Sequence, residues 1–366
     1  MMDIEYMKLA LELAQMGCGH VNPNPMVGAV IVKNNRIIGK GYHTRCGNLH
    51  AEREALAACT ESPEGAEMYV TLEPCCHYGK QPPCTDAIIE SGIKHVYVGS
   101  PDPNPLVAGK GIEILRNHGI DVTENVLREE CDEINYVFLH YIRTGLPYVV
   151  MKYAMTMDGK TAARTGEARW ITGEAARKNV HYDRNRYAGI MIGIGTLLAD
   201  DPLLTCRLPE GKNPVRIICD SKLRTPLTSQ IVKTAHEVPT IIAACIYDKE
   251  KINALEQEGC TVIQVTEKNG HADLNQLMTK LGDMKIDSIL LEGGSQLNWS
   301  ALDAGIVNRV QTYVAPKILG GKEAPSPVGG LGADKPDNGF MLTPPKITVI
   351  DNDILLESEV IKCSQE

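Results

Sequence analysis

The sequence is poor in aromatic residues and has no excess of basic ones. Aromatic side chains make up 5% of its 366 residues, with two tryptophans and two phenylalanines, and the formal net charge is −9. Proteins that bind nucleic acid usually present a basic face and aromatic side chains that stack on bases. The composition therefore argues against a nucleic-acid partner and favours a small-molecule substrate.

The N-terminus lacks the apolar run of a signal peptide or a transmembrane segment. Residues 1–14 form an amphipathic pattern that includes acidic side chains. Twelve cysteines in a chain without secretory signals are typical of reduced thiols. We therefore expect a cytoplasmic protein that has no membrane partner.

The length of the chain predicts two domains. A helical pattern over 126–141 is followed by the glycine and proline of segment 143–147, and a strand pattern begins at Tyr148. We place the boundary there, which gives domains over 1–145 and 146–366. In the second domain, short β-branched runs alternate with helical patterns, which predicts an α/β fold with a largely parallel sheet.

One motif in the first domain points to metal chemistry. A His-Ala-Glu motif that begins at His50 and ends at Glu52 is followed by Cys75, which a proline precedes, and then by Cys84. One imidazole and two thiolates leave the fourth position of a zinc ion open for water, as in catalytic sites. Zinc acidifies that water, and the Glu52 carboxylate can shuttle its proton. This pattern is typical of zinc deaminases, so we expect hydrolytic removal of an amino group from a pyrimidine-like ring.

The gap between the two cysteines leaves an alternative open. The usual motif is Pro-Cys-x-x-Cys, whereas here eight residues separate Cys75 from Cys84, and the loop contains Cys76 and His77. Adjacent residues of an extended segment point in opposite directions, so we take Cys75 and Cys84 as the ligands. The alternative is a closed structural site, in which Cys76 or His77 is the fourth ligand and Glu52 lies on a solvated helix face.

Two glycine turns follow predicted strands in the second domain. One contains Gly293 and Gly294, and the other contains Gly193 and Gly195. The full Gly-x-Gly-x-x-Gly fingerprint of a Rossmann module is absent. A dinucleotide that lies across the strand ends explains both turns; the alternative is a pair of ordinary strand-to-helix turns, with a surface ion pair between Asp200 and Arg207.

Ten short segments carry a resemblance to a known family: 22–28, 50–52, 71–75, 82–84, 102–109, 158–160, 170–172, 198–202, 204–207 and 292–294. Over essentially its whole length, the chain resembles the bifunctional deaminase/reductase of riboflavin biosynthesis. The long loop that ends in Pro-Pro-Cys at Cys84 is characteristic of that family. One departure is Cys76, where the family usually has serine.

The resemblance implies a fold and two consecutive reactions. An N-terminal, cytidine-deaminase-like domain with three α/β/α layers and one Zn²⁺ would deaminate 2,5-diamino-6-ribosylamino-4(3H)-pyrimidinone 5′-phosphate. A C-terminal α/β domain similar to dihydrofolate reductase would then use NADPH to reduce the ribosyl group to ribityl. We also expect a homo-oligomer, either a dimer or a tetramer. The alternative function is a zinc nucleoside or tRNA deaminase with an accessory domain that is not a reductase.

The resemblance also implies the residues of both sites. Glu52 would be the catalytic residue of the deaminase, whose substrate would contact Asn24, His43, Lys80, Asp102 and Asn104. NADPH would contact Ala154, Trp170, Thr172, Thr196, Asp200, Ser221 and Gly294. The substrate of the reductase would contact Ala168, Arg184, Leu204, Arg207 and Glu292. Lys152 is a further predicted contact, because it is one of the nearest titratable residues that could organise the sugar. The two arginines suit the 5′-phosphate of this substrate, because a guanidinium can bind phosphate through two parallel hydrogen bonds.

Overall fold

Short runs of β-branched and other apolar residues form the strands at the centre of the first unit. The computed structural model describes residues 3–78 and 81–361, and the chain divides into two units between Gly145 and Leu146. The helices and strands of the first unit are α1 (Ile4–Gln15), β1 (Gly28–Lys33), β2 (Arg36–Tyr42), α2 (Ala51–Ala57), β3 (Glu67–Leu72), α3 (Cys84–Glu90), β4 (His95–Ser100), α4 (Lys110–Asn117), β5 (Asp121–Thr123), α5 (Arg128–Ile134) and α6 (Tyr136–Thr144). The sheet order is β2-β1-β3-β4-β5, and β3, β4 and β5 are parallel.

Both faces of this sheet are buried. Successive residues of a strand point to opposite faces, and on β1 the side chain of Ile31 packs in a cluster with Ala51 of α2. The alternate residues Val30 and Val32 pack in a second cluster with Met7 of α1. Helices therefore cover the sheet on both sides, which confirms the three-layer α/β/α fold.

The helix predicted over 126–141 is wrong, because the segment forms two helices that are interrupted at Asn135. Asn135 is buried, and its side chain accepts a hydrogen bond from the Met26 N–H at 2.8 Å and donates one to the Met26 carbonyl at 2.9 Å. An asparagine whose amide bonds to distant backbone competes with the helix for its conformation. The interruption therefore ties α5 and α6 to the segment that precedes β1.

The second unit contains a nine-stranded sheet. Its helices and strands are β6 (Tyr148–Thr156), α7 (Glu174–Arg186), β7 (Gly189–Gly193), α8 (Ile194–Asp200), β8 (Val215–Cys219), α9 (Gln230–Lys233), β9 (Thr240–Ala244), α10 (Lys249–Gln257), β10 (Cys260–Gln264), β11 (Glu267–Lys268), β12 (His271–Ala272), α11 (Leu274–Asp283), β13 (Ser288–Leu291), α12 (Ser295–Asp303), β14 (Val307–Ala315), β15 (Lys346–Ile350) and β16 (Asp353–Glu359). The sheet order is β10-β9-β8-β7-β13-β6-β14-β16-β15. The pairs from β10 to β14 are parallel and the last two are antiparallel, which confirms a largely parallel sheet.

The position of β13 marks the point where the strand order of this sheet reverses. Although β13 comes late in the chain, it lies between β7 and β6 and is parallel to both. At such a point the connections that follow neighbouring strands lead to opposite sides. Ligands of open α/β sheets bind in the crevice that this leaves outside the carboxyl ends of the strands. The glycine turns after β7 and β13 lie at these ends.

A buried arginine fixes a loop beside this crevice. Arg216 on β8 has no exposed surface, and its guanidinium donates hydrogen bonds to hydroxyl and carbonyl oxygens, including the carbonyl of Leu203 at 3.3 Å. Burial lowers the pKa of Arg216 to about 10. A buried guanidinium is tolerated only when its donors are satisfied, so Arg216 holds the loop that carries Leu204 and Arg207.

Candidate active sites

Three potential metal ligands converge in the first unit from separate segments. His50 immediately precedes α2, Cys75 follows β3, and Cys84 is the first residue of α3. The Nδ1 atom of His50 lies 3.4 Å from the Cys75 Sγ and 3.5 Å from the Cys84 Sγ, and the three ligand atoms lie within 4.8 Å of one another. With Zn–N of about 2.0 Å and Zn–S of about 2.3 Å, a tetrahedral zinc needs an N···S separation of about 3.5 Å. Both the donor set and its spacing fit zinc.

Cys76 and His77 do not complete a fourth corner of this cluster. The Cys76 thiol lies 3.6 Å from the carbonyl oxygen of Leu106. Within segments 3–78 and 81–361, the group of side chains that could hold a metal consists of His50, Cys75 and Cys84. The geometry favours a site with an open fourth position over a closed structural site.

Hydrogen bonds converge on the sulfur atom of Cys75. Cys84 and His50 direct hydrogen bonds at the Cys75 sulfur, and the Cys84 N–H does so at 3.4 Å, which lowers the pKa of Cys75 to about 4 although burial opposes this. A thiolate is the form that binds zinc. The start of α3 therefore helps to prepare the site for the metal.

Glu52 lies beside the cluster in the first turn of α2. Its side chain is buried, with 3% of the residue exposed. Burial raises the pKa of Glu52 to about 7, and the nearby negative charge of Cys75 contributes. A carboxyl group with such a pKa can accept and donate a proton near neutral pH. The structure thus brings the predicted catalytic residue and the predicted ligands together.

His43 and Asn24 lie next to the same cluster. The His43 Nδ1 is 3.0 Å from the carbonyl of Leu49, which can only accept, so Nδ1 carries the proton. The Nε2 atom then accepts from the Asn24 amide at 3.1 Å. Burial lowers the pKa of His43, and its ring meets the His50 ring edge-on at a centroid distance of 5.4 Å. His43 is therefore neutral and oriented beside a metal ligand.

Glu73, which was not predicted from the sequence, organises the loop that follows β4. Its carboxylate accepts hydrogen bonds from the backbone of Asp102 at 3.3 Å, Gly109 at 3.0 Å and Gly111 at 3.1 Å. These contacts tie the loop after β4 and the start of α4 to the segment that carries Cys75. The signal was present in the sequence, because Glu73 stands between a buried strand and the Pro-Cys motif.

Asp102 and Asn104 lie in this loop, beside the metal cluster of their own chain. One carboxylate oxygen of Asp102 accepts from the Asn104 N–H at 2.9 Å, and burial raises the pKa of Asp102 to about 6. Lys80, the remaining predicted substrate contact, lies outside the described residues.

The two glycine turns of the second unit are in contact. The Gly193 N–H donates to the Gly293 carbonyl at 2.9 Å. A Cβ atom added to Gly294 would lie 3.2 Å from the hydroxyl oxygen of Thr196, so glycine keeps this cradle open. Gly294 immediately precedes α12, whose first N–H groups have no helical partner and attract phosphate. The cradle fits the pyrophosphate of a dinucleotide such as NADPH.

The other predicted cofactor residues are distributed over several segments of the second unit. Ala154 lies in the second half of β6, Asp200 is exposed at the end of α8, and Ser221 follows β8. Trp170 and Thr172 lie in the segment between β6 and α7. Trp170 is 60% exposed, and the guanidinium of Arg177 lies 4.4 Å from its ring centroid. Ala168 is exposed in the same segment.

An ion pair dominates the predicted substrate site of the reductase. Arg184 donates to the two carboxylate oxygens of Glu292 at 2.8 and 2.9 Å and to the Thr205 carbonyl at 3.1 Å. Although burial opposes it, the charges of Arg184 and Lys152 lower the pKa of Glu292 to about 2. Two donors of the Arg184 guanidinium are thus bonded to Glu292. This ion pair was not predicted from the sequence.

His181 is a second residue that sequence reasoning missed. It lies one turn before Arg184 on α7, and its Nδ1 is 3.3 Å from the backbone N–H of Arg207. Burial and the charges of Arg184 and Arg207 lower the pKa of His181. Leu204 is buried in the same loop, while Arg207 is exposed. The i to i+3 spacing of His181 and Arg184 on a helix was the available signal.

Comparisons with known proteins decide the family. Residues 1–100 match the model of the cytidine and deoxycytidylate deaminase zinc-binding region, and residues 147–356 match the RibD C-terminal domain. The chain is 53% identical over 361 residues to the riboflavin biosynthesis protein RibD of Actinobacillus pleuropneumoniae, which covers 99% of this chain and 96% of that protein. The chain belongs to the RibD family.

Solved structures of RibD proteins agree over nearly the whole chain. RibD of Acinetobacter baumannii, form 1, has a TM-score of 0.89 and 35% identity, covering 98% of this chain and 99% of that one. A diaminohydroxyphosphoribosylaminopyrimidine deaminase/5-amino-6-(5-phosphoribosylamino)uracil reductase of Thermotoga maritima has a TM-score of 0.84 and 37% identity, covering 98% of each chain. As a RibD-family enzyme of riboflavin biosynthesis, the chain combines a zinc-dependent deaminase with an NADPH-dependent reductase and acts on a small-molecule pyrimidine. No helix in the described part of the chain is long and apolar enough to cross a membrane.

Replacement of single cysteines tests the ligand set. Cys84→Ser should lose the bound zinc and deaminase activity, because serine is a poor zinc ligand and two ligands remain. Cys76→Ser should retain one zinc per chain and the activity of the wild type. Metal content by mass spectrometry after gel filtration checks both variants; loss of zinc from Cys76→Ser would show that Cys76 is a ligand.

Proposed function

We propose that residues 1–145 deaminate 2,5-diamino-6-ribosylamino-4(3H)-pyrimidinone 5′-phosphate and that residues 146–366 reduce the ribosyl group of the product to ribityl. The observation that carries this proposal is the buried carboxyl of Glu52 beside His50, Cys75 and Cys84. A structural zinc site requires only its four ligands and does not need a buried carboxyl group beside them. The RibD C-terminal domain on the same chain supplies the second step.

In the deaminase, Glu52 carries the protons. Zinc held by His50, Cys75 and Cys84 would lower the pKa of a water molecule. Glu52 would take one proton from a water molecule and deliver it to the ring nitrogen as the oxygen adds to the amidine-like carbon. Glu52 would then take the second proton from the hydroxyl of this adduct and deliver it to the amino group, which leaves as ammonia as the carbonyl forms. The buried position of Glu52 supports this assignment, because a carboxyl group with a raised pKa is suited to both steps.

The substrate of the deaminase would lie against Asn24, His43, Lys80, Asp102 and Asn104. Neutral His43 orients the Asn24 amide, which supports a contact between that amide and the pyrimidine ring. Asp102 and Asn104 are held beside the metal loop by Glu73. Lys80 suits the 5′-phosphate by its charge.

In the reductase, hydride passes to C1′ of the sugar, which is an imine carbon when the ring is open, and a proton passes to the attached nitrogen. We assign NADPH to the crevice at the ends of β6, β7, β8 and β13, where it contacts Ala154, Trp170, Thr172, Thr196, Asp200, Ser221 and Gly294. The adjoining glycine turns support this position, since they leave room for a pyrophosphate at the start of α12.

The reductase substrate would contact Lys152, Ala168, Leu204, Arg207 and the ion pair of Arg184 with Glu292. Exposed Arg207 is the better candidate for the 5′-phosphate, because Glu292 already occupies two donors of Arg184. Arg184 would then act mainly by orienting the Glu292 carboxylate toward the sugar.

Substitution of Glu52 separates the two reactions. Glu52→Gln keeps the size of the side chain but cannot carry a proton, so ammonia release should fall by about 10²–10⁴-fold. Reduction of the deaminated intermediate should remain unchanged. Ammonia release and NADPH oxidation are measured separately with the two substrates.

Glu54→Gln, on the same helix, is the matched control and should retain both activities. If Glu52→Gln stopped both reactions in a folded protein, the assignment of the two reactions to separate sites would be wrong.

We also propose a homo-oligomer that forms through β15, with a second copy of the chain as the partner. In the described part of the chain, β15 pairs only with β16 and ends the sheet. Its apolar side chains Ile347 and Val349 are 64% and 70% exposed. An exposed apolar edge strand is a template for pairing, and two identical edges can pair about a two-fold axis.

Lysine substitutions on β15 test this interface. The double variant Ile347→Lys and Val349→Lys should sediment as a smaller species than the wild type, because like charges then meet across the axis. Ile318→Lys, at a residue that is 78% exposed outside this strand, is the control. Sedimentation velocity at matched concentrations measures the difference; wild-type sedimentation of the double variant would rule out β15 as the interface.

We place the enzyme in the cytoplasm and expect no nucleic-acid partner. None of the eleven cysteines in the described residues forms a disulfide bond. A reducing compartment keeps Cys75 and Cys84 available as thiolates for zinc. The net charge of −9 supports a small phosphorylated substrate that is bound by a few local cations rather than a polyanion.

A further inference from the structure

A row of polar side chains crosses three strands of the nine-stranded sheet behind the reductase site. Lys152 on β6 lies opposite Gln311 on β14, and Gln311 lies opposite Glu357 on β16. Residues that are opposite in register project from the same face of a sheet. The Gln311 amide donates to a Glu357 carboxylate oxygen at 3.1 Å. The row therefore leads from half-buried Glu357 to Lys152, one of the proposed substrate contacts.

Asp183 of α7 faces this row. It lies one turn after Asn179, which bonds to Tyr313 of β14, and after Val180, which packs with Tyr313 and Leu355 on the same face of the sheet. The charges of Lys152 and Glu357 act on its carboxyl group. Its Oδ2 atom is buried and has no hydrogen-bond partner within the described residues, and the same holds for the side-chain oxygen of Gln311. A buried charged oxygen without a donor is unfavourable, so this carboxyl group requires either a proton or a nearby cation.

Lys152 lies among groups that favour its ammonium form. Its ammonium nitrogen lies 5.7 Å from the ring centroid of Tyr313, whose hydroxyl accepts from the Asn179 amide at 2.8 Å. An ammonium group is attracted by the face of an aromatic ring. Lys152 also feels the charges of Glu292 and Asp183. The cation thus lies between the substrate site and the buried carboxyl group.

We propose that Asp183 is a positioning residue of the reductase, which holds Lys152 in its ammonium form through the polar row that it shares with Gln311 and Glu357. The functional part of this proposal rests on the substrate contact proposed above for Lys152. Neither the family comparisons nor the sequence motifs assign Asp183. It acts through Lys152 and does not itself touch the substrate.

The electrostatics of the two groups agree with the proposal. Burial raises the pKa of Asp183 to about 7, and burial lowers the pKa of Lys152, while the charge of each residue opposes the shift of the other. Above about pH 7, Asp183 is ionised and stabilises the Lys152 ammonium; below it, the neutral carboxyl has little effect. The other titratable groups that face the pair are Glu292 after β13, Tyr313 on β14, Glu357 on β16, and His181, Arg184 and Arg186 on α7.

Asp183→Asn tests the proposal, because asparagine has the shape of a protonated aspartate. At about pH 6 the reductase kcat/KM should stay within about twofold of the wild type. Toward alkaline pH it should fall by up to about tenfold relative to the wild type, because Lys152 loses its proton about one pH unit earlier without the anion. Asp283→Asn, at an exposed residue at the end of α11, is the matched control and should follow the wild type at both ends of this range.

A second measurement needs no cofactor. Trace labelling of the full-length protein with acetic anhydride, read by mass spectrometry of the Lys152 peptide, gives the pH midpoint of this amine. The midpoint should move about one pH unit lower in Asp183→Asn. Glu357→Gln should have the opposite effect on Lys152. Loss of the Glu357 charge lowers the pKa of Asp183, so that more of Asp183 is ionised at about pH 6. Lys152 then keeps its proton more firmly and should label more slowly than in the wild type at this pH.

Equal losses of reductase activity at acidic and alkaline pH would overturn the proposal, since a structural role has no reason to depend on pH. An unshifted labelling midpoint would overturn it as well. If the labelling midpoint of Lys152 shifted in Asp183→Asn but the pH dependence of the reductase rate did not change, Asp183 would have no role in the reaction. The proposed substrate contact of Lys152 would then be wrong as well, whereas the deaminase assignment would stand.

Discussion

Both active sites depend on one constraint: a buried parallel strand ends where the chain must turn toward a helix. After β3 the chain reaches Cys75, and after β7 and β13 it makes the two glycine turns. The carboxyl ends of parallel strands lie at one edge of a sheet. Side chains and free N–H groups from distant segments therefore meet there without long loops, and the helices that follow fix them in place.

The roles of the buried carboxyl groups depend on the hydrogen-bond donors and cations that they contact. Glu73 accepts several backbone N–H groups and serves as a fixed anchor for the Asp102 loop. Glu292 is paired with Arg184, which keeps it ionised. In the part of the chain that the structure describes, neither Glu52 nor Asp183 forms an ion pair of this kind, and burial raises the pKa of each to about 7. Glu52 and Asp183, whose pKa values are raised, are therefore the groups to which we assign proton transfer and control of the Lys152 charge, respectively.

Local chemistry explains what could be predicted from the sequence. The metal ligands and Glu52 follow from residue types and spacing, and the glycine turns follow from their position after strand patterns. The helix interruption at Asn135 could not be predicted, because it depends on a hydrogen bond to Met26, which is 109 residues away. The pairing of Arg184 with Glu292 and the row that surrounds Asp183 likewise depend on strand order and register. The contacts of Lys80 stay a prediction.

The central claim is that one chain carries two consecutive reactions, and the ratio of their products tests it most directly. With the diaminopyrimidine substrate, zinc and excess NADPH, ammonia and NADP⁺ are quantified in the same sample at the end of the reaction. The account predicts one NADPH oxidised for each ammonia released. Ammonia release without NADPH oxidation would contradict it, and would indicate a deaminase whose second domain is not a reductase.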